Sequence, residues 1–134
     1  MHVINRCTEY AVLSLLHMAA RKDIVSALEL ADTLSIPHPF LRNILRTLKQ
    51  NRIIGSRRGQ KGGFVLEKKA DTISLLEILT IFQGPFQLAE CAGTDTCSRA
   101  LSCTLRPELE PIEKDLLGKL ESTTVQSLLN RHKK

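Results

Sequence analysis

Pro37-His38-Pro39-Phe40-Leu41-Arg42-Asn43-Ile44-Leu45-Arg46-Thr47-Leu48-Lys49, continued by Ile53-Ile54-Gly55-Ser56-Arg57-Arg58-Gly59-Gln60-Lys61-Gly62-Gly63-Phe64-Val65-Leu66, is the stretch that decides how this chain folds. The first part has the apolar period of a helix. Phe40, Leu41, Ile44, Leu45 and Leu48 fall on the side expected to be buried, and His38, Arg42, Asn43, Arg46 and Lys49 on the other. Pro39 is tolerated in the first turn, where backbone amides lack helical partners anyway. The second part has two short apolar strand candidates, Ile53-Ile54 and Phe64-Val65-Leu66, around a segment rich in glycine. Glycine supplies the backbone freedom of a hairpin tip, and Arg57, Arg58 and Lys61 give that tip its charge.

Upstream, Ser26-Ala27-Leu28-Glu29 has the form of a capping box, in which Ser26 caps a helix and Glu29 reaches back to it. That helix carries Leu30, Ala31 and Leu34 inward and stops near Ser35-Ile36, because Pro37 disfavours helical geometry in the residue before it. An earlier amphipathic stretch, from Glu9 to about Ala20, places Tyr10, Leu13, Leu16 and Ala20 on the stripe expected to be buried. Two short helices joined by a tight turn, the second with a basic outer face, make a helix-turn-helix, and the charged hairpin after it reads as a wing.

Downstream, Ser74 to Gln83 reads as a helix (Leu75, Ile78, Leu79, Phe82) ended by Gly84-Pro85. Leu109, Ile112, Leu116 and Leu120 form an apolar seam suited to a dimer surface. An interior proline costs about 3 kcal/mol, so the regular part of that helix is expected to begin close to Pro111. A last helix follows Thr123-Thr124, with Val125, Leu128 and Leu129. The expected fold class is mainly α with a small β-hairpin wing, a winged helix-turn-helix plus a long dimerisation helix. The expected division is a DNA-binding domain over 1–83, a cysteine-bearing loop over 84–105 and dimerisation helices over 106–134 that form one compact unit with the first helix.

The net charge of +5 is unevenly placed. Residues 1–70 carry 12 Lys+Arg against 5 Asp+Glu, and residues 71–134 carry 7 against 9. No acid occurs from Thr33 to Leu66, a stretch of 34 residues. Such a block points to a polyanion partner. A recognition helix in the major groove presents its N-terminal residues to base edges, which selects His38, Arg42, Asn43 and Arg46. Arg57, Arg58 and Lys61 on the wing are candidates for phosphates or a narrow minor groove. Double-stranded DNA is thus the expected partner, read by a homodimer across two half-sites. Apolar runs fall short of the roughly 18–20 residues of a membrane span, and no secretory signal pattern opens the chain, so a cytoplasmic location is expected. Neither a phosphate-cradling loop, a recognisable carboxylate pair nor a nucleophile elbow is present, which leaves no enzyme class to propose.

Cys91, Cys97 and Cys103 stand six apart twice in a Gly/Thr/Ser-containing stretch. Zinc sites favour closer pairs and four ligands, whereas thiolates on a loop suit an iron–sulfur cluster. A zinc-holding or thiol-redox regulator of the same fold, or a helix-turn-helix used for protein contacts, are the alternatives.

The chain resembles a family of winged-helix regulators that includes the bacterial iron–sulfur cluster regulator and the nitric-oxide-sensing repressor. The resemblance is carried by Glu9-Tyr10-Ala11, Glu29-Leu30-Ala31, Phe40-Leu41, Arg58 to Leu66, the three-cysteine loop and Thr124-Val125. It implies a homodimeric transcriptional repressor with crossed long helices, DNA contacts from the recognition helix and Arg58, and a 4Fe–4S or 2Fe–2S cluster on Cys91, Cys97 and Cys103. In one branch of that family a histidine three residues after the last cysteine completes the site; Arg106 stands there in this chain. In the other branch an acidic residue before the first-helix tyrosine does so from the partner subunit, and the matching residue is Glu9. Cys7 is the rival fourth ligand and His17 a more remote one.

Overall fold

A computed structural model describes residues 2–60, 62–89 and 102–132. The element order is α1 (Arg6–Arg21), α2 (Ala27–Leu34), α3 (His38–Gln50), β1 (Ile54–Arg57), β2 (Gly63–Leu66), a 3-10 turn (Ala70–Thr72), α4 (Leu75–Gln83), α5 (Arg106–Ser122) and α6 (Val125–His132). This is the expected winged helix-turn-helix followed by a long helix.

The core is centred on α1 and α3. Leu41, Ile44, Leu45 and Leu48 of α3 are buried, with Leu15 and Met18 of α1, Leu30 of α2, Ile53, Ile54, Ile73, Ile78 and Val125. Complete burial of each large side chain contributes about 1.5–3 kcal/mol. Two expected stripes are corrected. On α1 the buried residues are Thr8, Ala11, Ser14, Leu15, Met18 and Ala19, whereas Leu13 is 36% exposed and Tyr10 and Leu16 only half-buried. The reason is that α2, α3, α4, α6 and β2 all pack on α1, so the buried face is broad and admits small residues at Ala11, Ser14 and Ala19 beside Leu15 and Met18. On α3, Phe40 is 38% exposed instead of buried; its ring meets Tyr10 edge-on, with centroids 5.6 Å apart at 89°.

Helix ends follow their local chemistry. Asn5 caps α1 by accepting from the Thr8 amide, so the helix begins before Glu9. Ser26 caps α2 through the Glu29 amide at 3.0 Å. The expected capping box does not close, because the Glu29 carboxylate instead meets His17 Nε2 at 3.1 Å and Arg21 Nη1 at 3.4 Å. Both partners lie on α1, so the Glu29 carboxylate joins α1 to α2 where the sequence suggested a purely local cap.

The hairpin is antiparallel, with Ile54 opposite Leu66 and Arg57 opposite Gly63. Its strands reach further into the glycine-rich segment than the two apolar runs suggested. Val25, before α2, exchanges backbone hydrogen bonds with Phe64 at 2.8 and 2.9 Å and acts as a third, one-residue strand. A Cβ on Gly63 would lie 2.5 Å from the Val25 carbonyl oxygen, so this pairing requires glycine.

After α4, capped by Ser74 through the Glu77 amide, the long helix starts at Arg106 and not near Pro111. Pro107 sits in its first turn and Pro111 only one turn later. There a proline sacrifices one bond, to the exposed Pro107 carbonyl. Helix α5 packs on α4, has no fully buried residue, and leaves Ile112 55% exposed. The chain then returns to the core. Val125 donates to the Ile73 carbonyl at 2.9 Å, Leu75 to that of Thr123 at 2.8 Å, and α6 packs on α1.

Leu41→Ala is expected to cost about 2–5 kcal/mol, as for buried leucines generally. Phe40→Ala should cost about 1 kcal/mol, the scale of one aromatic pair. Urea unfolding of both variants measures the contrast, and equal losses would place Phe40 in the core after all.

Candidate nucleic-acid interface and cysteine loop

Because one face of α3 is committed to the core, the opposite face is imposed. His38, Arg42, Asn43, Arg46 and Lys49 are all exposed on it. Helix α3 opens at Pro37 with no side-chain cap, as proline at the cap position has no side-chain acceptor. It closes at Arg52, whose positive φ of 58° turns the chain directly into β1. The hairpin packs on α3 through β1, so reading helix and wing form one arrangement. Arg57 lies exposed on β1 and Arg58 exposed at the tip, where Gly59, at φ 131°, and Gly62 close a turn with a 3.0 Å backbone bond. Lys61 lies outside the described residues.

What distinguishes this surface is the clustering of its cations in a stretch free of acid. Elsewhere among the described residues some cations have carboxylate partners, Arg6 with Glu9, Arg21 with Glu29, Lys68 with Glu77 and Arg106 with Glu110, while others such as Lys22, Lys69 and Lys119 show none. Among the described residues, Arg42, Arg46, Lys49, Arg52, Arg57 and Arg58 have none. A set of exposed, unneutralised cations on a helix and an adjoining hairpin can accept phosphates, and its Arg and Asn side chains can bond base edges.

The second candidate site is the cysteine-bearing segment that follows α4. Cys91 and Cys97 lie outside the described residues; Cys103 is half-buried, just before α5. The stretch leading to the cysteines leaves α4 at Gly84, whose φ of 80° suits glycine. Here the sequence reading missed a latch. The Gln83 side-chain oxygen accepts from the Asn5 amide at 3.0 Å and from the Thr8 hydroxyl at 2.7 Å, while its Nε2 donates to the Val3 carbonyl at 2.8 Å. The available signal was Asn5-x-x-Thr8 as a helix start, but nothing local couples it to a glutamine more than 70 residues away. Further along, the Leu88 amide donates to Glu113 of α5 at 2.8 Å. The departure of the cysteine-bearing segment is thereby tied to both α1 and α5.

The candidate fourth ligands sit close to that latch in sequence. Glu9 is 51% exposed and pairs with Arg6 at 3.6 Å, a weak, solvent-screened contact that leaves it available. Cys7 is half-buried. His17 is engaged by Glu29, on the next helix. Among the described residues no three His, Cys, Asp or Glu side chains come together as a metal site; by residue type, the thiols of Cys91, Cys97 and Cys103 are ligands suited to an iron–sulfur cluster.

A helix-turn-helix with an unneutralised basic wing, carried on a long C-terminal helix, defines a winged-helix DNA-binding regulator. The family model described as "Rrf2: Iron-dependent Transcriptional regulator" matches residues 4–131, and the chain belongs to this family. Its members are transcriptional regulators and not enzymes. A putative HTH-type transcriptional regulator of Aquifex aeolicus is 26% identical, covering 98% of this chain and 94% of its own length. The HTH-type transcriptional regulator NsrR of Oceanobacillus iheyensis is 25% identical, over 94% and 88%. Among solved structures, CymR, the global cysteine regulator of B. subtilis, superposes with a TM-score of 0.83 at 22% identity, covering 98% of each chain. T. potens IscR does so with 0.77 at 18%, over 96% and 87%. These two share the fold. Among the described residues, no helix is long and apolar enough to cross a membrane.

Replacing Gln83 with leucine removes three hydrogen bonds and deprives the buried Thr8 hydroxyl of one of two acceptors. The expected cost is about 1–3 kcal/mol, measured as a lower urea midpoint at unchanged slope.

Proposed function

We propose that this chain is a cytoplasmic, homodimeric repressor of transcription whose hold on DNA depends on an iron–sulfur cluster at Cys91, Cys97 and Cys103. The observation that carries the DNA half is the clustered, unneutralised basic surface on α3 and the wing, within a stretch of 34 residues free of acid. In this reading His38, Arg42, Asn43 and Arg46 enter the major groove, and Arg57, Arg58 and Lys61 meet phosphates or the minor groove. The second copy supplies the other half-site and packs along the Leu109, Ile112, Leu116 and Leu120 seam of α5; the exposure of Ile112 supports a covering partner there.

The sensing half rests on the three thiols and on similarity to a relative named NsrR. Cys91, Cys97 and Cys103 would hold the cluster, with Glu9 of the second copy as fourth ligand. When bound, the cluster supplies iron that oxidants or nitric oxide can alter and that iron shortage removes. The protein's own contribution is mechanical. The latch at Gln83 joins the cysteine segment to the start of α1, and α1 packs on α3. Movement of that segment therefore bears on the helix that positions the reading head. A signal shifts such an equilibrium only by its unequal affinity for the two arrangements.

Two experiments test the halves separately. Arg42→Ala is expected to lose about 1–3 kcal/mol on its operator and little on random duplex, whereas Lys61→Ala should weaken both and flatten the salt slope by about one charge. Equal losses for Arg42→Ala on specific and random DNA would remove it from base reading. Anaerobically purified protein should contain iron and sulfide and absorb in the visible, and Cys97→Ala should abolish that absorption. Colourless, iron-free protein that still responds to thiol oxidants, or that holds zinc, would establish the thiol or zinc alternative.

A further inference from the structure

The exposed ring on the recognition helix is unaccounted for by the charge argument. All five aromatic residues of the chain are described, and Tyr10, Phe64, Phe82 and Phe86 are at least half-buried. Phe40 alone is exposed, at 38%, in the first turn of α3. Exposing an apolar ring is unfavourable in the free protein, and this one stands on the turn whose residues reach furthest toward base edges in a helix-turn-helix. It is also oriented. Tyr10 meets it edge-on at 5.6 Å, and Tyr10 is itself covered by the Arg6 guanidinium at 5.8 Å from its ring centroid. An aromatic side chain has few rotors, and a contact along one edge fixes how the remaining surface is presented.

The chemistry of the neighbouring side chains leaves a gap that a ring fits. Arginine suits guanine and asparagine suits adenine, whereas the C5-methyl of thymine is the apolar feature of the major groove and is met by apolar groups, phenylalanine among them. Asn43 is three residues from Phe40 and hence its neighbour on the helix surface. From this geometry we infer that Phe40 reads a thymine methyl, at a base step adjacent to the adenine bonded by Asn43. It is a specificity-determining residue added to the polar ones. The inference rests on the DNA-binding reading above and is independent of the cluster.

The test begins by selecting the operator from random duplexes with the full-length protein, then replacing each thymine of the selected site by deoxyuridine, which removes only the methyl. For the native protein one position per half-site should lose about fourfold in affinity, the worth of one buried methyl group. For Phe40→Ala, and for Phe40→Ser as a second variant, thymine and deoxyuridine at that position should bind alike. Each protein is compared with itself on two DNAs, so a fold defect lowers both affinities without producing the difference. Uniform indifference of the native protein to deoxyuridine, or methyl discrimination that survives in both Phe40 variants, overturns the assignment. Failure to select any sequence would instead overturn the DNA-binding reading beneath it.

Discussion

Burial of one face of α3 against α1 is the constraint from which the rest of this molecule follows. Leu41, Ile44, Leu45 and Leu48 have almost no solvent exposure, and α1 meets that helix among its several partners through a seam of small and medium side chains. With four large residues committed inward, rotating α3 to show another face would cost several times the stability of a single contact. The outward face is therefore imposed, and so is the solvation of Arg42, Asn43 and Arg46. The same packing sets the wing. Arg52 accepts a left-handed backbone to turn the chain into β1, Ile53 and Ile54 enter the core, and Val25 pins the second strand through Phe64.

Helix α1 has a second role besides supporting the reading head. It receives the Gln83 latch at its start, carries Glu9 and Tyr10 in the next turn, and is bonded to α2 through the His17–Glu29–Arg21 group further on. Tyr10 touches Phe40, so the helix beside the cysteine-bearing segment also touches the first turn of the recognition helix. In the proposed sensing role, this shared helix is the packed route between the two regions, since close-packed interiors give little. Helix α5, without buried residues, and α6, anchored in the core, divide the C-terminal part between a surface open to a partner and a clasp on α1.

How much of this was legible in the sequence depends on the range of the interaction involved. The positions of the helices, the cap at Ser26 and the hairpin come from contacts within a few residues, and those readings agree with the structure. The departures arise where a distant partner outcompetes a near one. Glu29 leaves its own cap for His17 and Arg21 on α1, and Phe40 leaves the core stripe for Tyr10. The true seam of α1 runs through Thr8, Ala11, Ser14, Leu15, Met18 and Ala19, because five elements pack on that helix.

The sequence by itself determined which residues could face outward as cations, where the chain must turn, and that three thiols share one short stretch. Each of these depends on residue type and spacing along the backbone. Only the tertiary structure decided which face of α1 is buried, that Phe40 is displayed, and that Gln83 ties the departing cysteine segment to Asn5 and Thr8. Those outcomes depend on how elements separated by tens of residues compete for the same volume and the same hydrogen bonds, and local pattern does not encode the winner.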